Sequence, residues 1–261
     1  MKKDHKISEK SHNLFIFLST FFIANALLAE FIGVKILSLE KILSINPVNI
    51  PFIGDSFLSL NMSVGVIIWP IVFIISDVIN EYYGRKGVQK ISLIAALLIL
   101  YSFVIVLFST ESPPADFWLE NNSVDSSGNA FNINFAYNSI FRQGMGIIVG
   151  SLTAFLVGQF VDAYTFHYLR ILTNHKWLWL RATGSTVVSQ LVDSFLILFI
   201  AFYLLGNWSF IEVISVGLIQ YFYKIFIAIV LTPVIYWMHI VIDKYLGEER
   251  VKEMIEKATT A

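Results

Sequence analysis

The residues able to do chemistry in this chain are ionisable and amide groups set inside long apolar runs, and they come in spaced sets. Asp77 and Glu81 are four apart, and so share one face of a helix. Gln190 and Asp193 are three apart, and Gln220 and Lys224 four apart. An earlier apolar run carries Asn25, Glu30 and Lys35, and another carries Arg142 at one end with Gln159 and Asp162 near the other. A charge at the centre of a bilayer costs about 2.5–3.5 kcal/mol on insertion scales, so each such group asks for a reason. Carboxylates accept from N–H groups, whereas amides and Lys donate to carbonyl or ring nitrogen. Together the set suits a planar, hydrogen-bonding, weakly charged solute, with Trp69, Tyr221 and Tyr223 available as stacking or packing faces.

Competing explanations accompany each group. Asp77, Glu81, Gln159 and Asp162 fall near one membrane boundary, where headgroup contact or helix capping would account for them. Glu30 and Lys35 could pair with each other or between helices, and Asp193 with Lys224. Counted from Arg181, however, Gln190 and Asp193 lie roughly 13–18 Å into the membrane at 1.5 Å per residue, near its midplane. Lys224 sits at comparable depth. These three are the strongest candidates for a solute or proton site.

The elements that position them are membrane helices. The 261 residues are 56% hydrophobic and only 14% charged, with a mean hydropathy of +0.70. Soluble domains carry about 25% charged residues. Apolar stretches of the length needed to cross a hydrocarbon core of about 30 Å recur along the chain. The reading is an all-α integral membrane protein in one transport domain, with six helices near 13–38, 61–81, 90–109, 142–162, 181–205 and 211–240. Pro70 inside the second span predicts a kink against protein or a cavity. The run from Leu14 to Leu39 is too long for the apolar core of a signal peptide and reads as the first span.

Lys and Arg set the expected orientation. One side collects Lys2, Lys3, Lys6 and Lys10, then Arg85, Lys86 and Lys90, then Arg170, Lys176 and Arg181, then Lys244, Arg250, Lys252 and Lys257. The other side holds Lys41 and, at a helix mouth, Arg142. Both termini are therefore expected in the cytoplasm, which requires an even number of crossings. The connection 109–141, polar and turn-rich around Asn121–Asn129, is a long outer loop. The tail from Glu248 to Lys257 alternates charge at helical spacing and reads as a solvated helix.

Other classes fare poorly. Net charge is −1, which gives nucleic acid no electrostatic footing. There is no cysteine, so disulfides, thiolate metal sites and cysteine nucleophiles are excluded. No HExxH, GxSxG or P-loop pattern occurs, and His5, His12, His167, His175 and His239 fall in tails, connections or helix ends. No enzyme activity, metal or cofactor is expected; the partners are the lipid bilayer and a small solute, with a homo-oligomer left open.

At the same residues the chain resembles the queuosine precursor transporter family, also called the vitamin uptake transporter family. The most specific stretch runs from Trp69 to Lys86 and is similar to the family's Pro-x-x-[Phe/Tyr]-x-x-x-Asp-x-x-x-Glu-x-Tyr-Gly pattern, here Pro70, Phe73, Asp77, Glu81, Tyr83 and Gly84. Ala24-Asn25 with Val34-Lys35-Ile36, Phe141-Arg142, Gly158-Gln159-Phe160-Val161-Asp162, Ser185-Thr186 with Gln190 and Asp193, and Tyr221-Phe222-Tyr223-Lys224 complete the likeness. It covers about residues 13–245; the loop around 111–135 is longer than in compact members. The resemblance implies six helices in a bacterial inner membrane and uptake of a 7-deazapurine: 7-cyano-7-deazaguanine, its aminomethyl derivative or queuine. Asn25, Asp77, Arg142, Gln190, Asp193 and Lys224 would line a central site, and protonation of Asp77 or Asp193 would couple uptake. The alternative is a vitamin-capture subunit that needs an ATP-driven complex and docks it through small residues such as Ala29 and Gly33.

Overall fold

The computed structural model describes residues 2–46, 50–51, 57–58, 60–142, 145, 148–174, 176–205 and 207–260. In chain order these form α1 (Lys2–Ile32), β1 (Ile36–Ser38), α2 (Leu39–Ile42), β2 (Ile50–Pro51), β3 (Phe57–Leu58), β4 (Asn61–Ser63), a 3-10 turn (Val64–Ile67), α3 (Trp69–Glu111), α4 (Asp116–Asn121), α5 (Ile133–Arg142), α6 (Ile148–Leu172), α7 (Leu178–Leu198), a π-helical turn (Phe199–Leu204), α8 (Phe210–Leu246) and α9 (Glu248–Thr260). Five of the helices are long and apolar enough to cross a membrane: Glu9–Ile32 of α1, α3, α6, α7 with its π turn, and α8. The protein is an all-α, multi-pass membrane protein. Large apolar side chains such as Leu97, Phe108, Phe226 and Ile240 stand exposed on the outer faces, as lipid contact requires.

Helix α3 is not one rod. At Gly84 the backbone leaves helical geometry (φ 74°, ψ 175°), a conformation open to glycine and costly for other residues. Contacts with α1 show what this does. Before the break, Gly65 lies against Ala29 and Gly33, and Tyr83 packs on Phe15 with ring centroids 4.8 Å apart. That segment therefore runs antiparallel to α1. After the break, Gly87 lies beside Phe15 and Phe31 stacks on Phe103 at 5.6 Å, so 85–111 runs parallel to α1. The chain reverses direction at Gly84.

Small residues let the later helices approach closely, as is usual in membranes. Gly158 of α6 sits on Asp193 of α7, Gly150 on Ala201, and Gly217 of α8 on the ring of Phe195. With Thr183 bonded to Thr232 and the Trp179 N–H donating to Tyr236, α6, α7 and α8 alternate in direction. One end of the bundle thus gathers the start of α1, Gly84, the α6–α7 connection and the end of α8. Lys10 bonds the Tyr245 carbonyl there, and Tyr83 the Ser11 carbonyl. The other end carries the strand pairs, α4 and α5.

Several sequence expectations shift. The first span ends at Ile32, because Ile36–Ser38 pairs antiparallel with Asn61–Ser63. Lys35 is consequently exposed beyond the helix. The second span starts at Trp69 rather than near residue 61, so Pro70 falls in the first helical turn, where its missing N–H costs nothing, and makes no kink. The connection 109–141 contains two helices and a turn in which Asp125 accepts from the Asn129 and Ser127 N–H groups. The Asn129 backbone bond, with its side-chain amide and the Ser127 N–H, holds the Asp125 carboxyl below the usual carboxylate range. The tail is helical but not solvated all round: Val251, Met254 and Ala258 are buried, and Ala258 touches the Gly84 turn.

Candidate solute-binding site

Between the first half of α3, α7 and α8 lies a narrow cleft of about 30 Å³. That is room for about two waters, so admitting a ring-sized solute requires the walls to part. Its walls are mostly apolar or aromatic, among them Trp69, Pro70, Phe73, Ile74 and Tyr223. A few polar groups enter it: Asp77 from α3, Thr183, Thr186 and Gln190 from α7, and Lys224 from α8. Gln190 is fully buried, yet neither its Oε1 nor its Nε2 has a partner among the described residues. A buried amide without partners costs about 1–3 kcal/mol, so a stable site has something to offer it. Lys224 is anchored by Asp193, Nζ to Oδ2 at 2.5 Å, with both side chains largely buried. Asp193 thus orients the ammonium from behind and is not itself among the cleft walls.

A second layer of polar side chains adjoins the cleft between α3, α6 and α7. Ser76 donates to Gln159 Oε1 (3.0 Å), Asn80 to the Ala163 carbonyl (3.0 Å), and Ser189 to Asp162 Oδ1 (3.0 Å). The carboxyls of Asp77 and Asp162 lie within hydrogen-bonding reach of each other. Farther toward the basic end, Glu81 is gripped by Arg170 (3.1 Å) and Arg181 (3.0 Å), all three nearly inaccessible to solvent. Arg170 also donates to the Asn80 carbonyl at 2.5 Å. Beside them Tyr82 donates to Asp243 (2.6 Å) and meets His239 Nδ1 (2.9 Å).

The expected site residues therefore divide. Asp77, Gln190, Lys224 and Trp69 share the cleft; Asp193 supports it, and Gln159, Asp162 and Glu81 stand in the adjoining layer. Asn25 donates to the Phe21 carbonyl of its own helix, and Glu30 accepts from Ser151 of α6, not from Lys35. Arg142 pairs with Glu111 at the end opposite the basic one, and Tyr221 packs on Phe222 and is not among the cleft walls. Sequence reasoning missed the burial of Arg170 and Arg181, which read as basic connection residues, and the inward role of His239. The spacing of His239 and Asp243, four apart on one helix, was the available signal. His167 is half-buried in α6, and His175 lies outside the described residues.

Residues 63–238 match the family model described as "Putative vitamin uptake transporter". The chain is similar to a "Probable queuosine precursor transporter" of Bacillus subtilis, 30% identical over 182 residues, which cover 68% of this chain and 71% of the relative. A protein of the same description from Haemophilus influenzae is 26% identical over 180 residues, 66% of each chain. The "Queuosine precursor transporter" of Escherichia coli is 24% identical over 184 residues, 67% of this chain and 71% of that one. No solved structure matches the chain.

Proposed function

Because the chain belongs to the vitamin uptake transporter family, we propose that it imports a queuosine precursor, a 7-deazaguanine or queuine, across the bacterial inner membrane. It acts as one six-pass transport domain with both termini in the cytoplasm. The reversal at Gly84 supports the count, since α3 then supplies two crossings. The gathering of Arg85, Lys86, Lys176, Lys244, Arg250 and Lys252 toward one end supports the orientation.

The observation that carries the solute assignment is the unpartnered Gln190 amide beside Asp77 and Lys224 in an otherwise apolar cleft. A guanine-like edge presents ring and exocyclic N–H donors for the Asp77 carboxylate. Its carbonyl accepts from Lys224 or the Gln190 amide, whose oxygen takes a further N–H. Trp69, Phe73 and Tyr223 flank the slot with faces for a planar ring.

The test is uptake of labelled precursor by cells that cannot synthesise it. Wild-type protein restores uptake, and Gln190→Leu lowers it at least about tenfold, the worth of one or two net hydrogen bonds. No uptake of any of the three precursors by wild type refutes the function; undiminished uptake by the variant removes Gln190 from the site. The capture-subunit alternative finds no support in its docking motif, since Ala29 and Gly33 are already covered by Gly65 of the same chain. Transport by the purified chain alone in liposomes excludes it.

A further inference from the structure

The layer beside the cleft holds a charge problem that hydrogen bonding alone does not solve. Asp77 and Asp162 are 2% and 1% exposed, on α3 and α6, with their carboxyl groups in mutual hydrogen-bonding reach. Asp162 Oδ1 has Ser189, and Ser185 is also in reach. Asp77 Oδ1 and Asp162 Oδ2 face no N–H or O–H donor among the described residues. Two carboxyl oxygens in contact form a hydrogen bond only if one of them carries a proton, and two carboxylates so placed repel.

The neighbouring charges point the same way. Asp77 shares its helix with Glu81; α6 contributes Arg170, α7 contributes Arg181, and α8 contributes Lys224, already neutralised by Asp193. Glu30 of α1 is occupied by Ser151. α8 also brings Asp243, bonded to Tyr82, and His239 to the same region. Glu81 and Asp243 together match the two guanidinium groups, so a fully ionised Asp77–Asp162 pair adds two negative charges with no counter-charge left in a low-dielectric interior. One proton shared within the pair removes one of them and turns the repulsion into a hydrogen bond.

We propose that the Asp77–Asp162 pair is a proton-binding site whose single proton travels with the solute. Asp77 alone of the two lines the cleft. With the proton on Asp162, Asp77 is a carboxylate free to accept the solute's N–H groups. Without that proton the two carboxylates repel and are pushed out of the geometry that presents Asp77 to the solute. Solute and proton thus load together, one of each, and an outward-acid gradient drives accumulation.

This rests on the solute assignment above, and the experiment separates the two. Purified protein in liposomes, with the membrane potential clamped, is given labelled queuine. The readout is the steady-state accumulation ratio, which does not depend on turnover rate. Wild type accumulates about tenfold per unit of imposed pH gradient, whereas Asp162→Asn, which mimics the loaded state permanently, equilibrates to a ratio near one. A gradient-independent wild type that still exchanges queuine overturns the proton site and leaves the function standing. Gradient-driven accumulation by Asp162→Asn overturns it equally. If wild type moves none of the precursors, or the variant moves none, infrared spectroscopy decides. A protonated-carboxyl stretch at neutral pH that vanishes in both Asp77→Asn and Asp162→Asn supports the pair, and its absence from wild type overturns it.

Discussion

Arginine–carboxylate pairs in this protein look alike in sequence and differ completely in energetics. Arg142 and Glu111 pair with both side chains substantially exposed, where such pairs contribute about 0–1 kcal/mol. Glu81 lies buried between Arg170 and Arg181. Removing one member of a buried ion pair costs about 3–5 kcal/mol, because the remaining charge stays buried without a counter-charge. Glu81→Gln is therefore expected to lower stability by that amount, and Arg142→Ala by less than about 1 kcal/mol. Denaturation midpoints in detergent check both; a small loss for Glu81→Gln would mean the arginines find another anion. Exposure decides here, and residue type does not reveal it.

Among the elements, α3 shows how one residue redirects a long apolar run. Forty-three helical residues laid straight would span roughly 65 Å, about twice the hydrocarbon thickness. The break at Gly84 folds that length back on itself, and α9 closes over the turn: a Cβ at Gly84 would lie 3.0 Å from the Ala258 carbonyl oxygen. Gly84→Ala meets both the steric contact and a backbone cost of about 1–3 kcal/mol, since its positive φ with extended ψ is a region kept almost wholly to glycine. Gly128, at φ 82° with open space around it, carries only the backbone cost. The expected outcome is a lower melting temperature for Gly84→Ala than for Gly128→Ala, with α9 cleaved faster by protease only in the former. Equal behaviour would mean that α9 does not brace the turn.

At the scale of the whole molecule, the alternation of helix directions and the basic end make one topological statement, which the absence of cysteine renders easy to test. Ser126→Cys lies in the turn after α4, and Lys252→Cys on the exposed side of α9. A membrane-impermeant maleimide is expected to label the first on intact cells and the second only after permeabilisation. Labelling of both from outside would reject the three crossings between that turn and α9.

Fold class and the approximate spans were legible in the sequence because crossing a bilayer demands a run of apolar residues long enough to satisfy every backbone group internally. That demand leaves its mark locally, as at Ile91–Phe108. The Asp77–Glu81 and Gln190–Asp193 sets were legible for the same reason, as expensive exceptions. What each exception faces is set by contacts between helices distant in the chain. Tertiary structure alone turned Asp193 toward Lys224, sent Arg142 to the surface, and drew Arg170 and Arg181 inward onto Glu81. It also turned Gln190 toward the cleft, since helix rotation and tilt follow from packing and not from the hydropathy of any one segment.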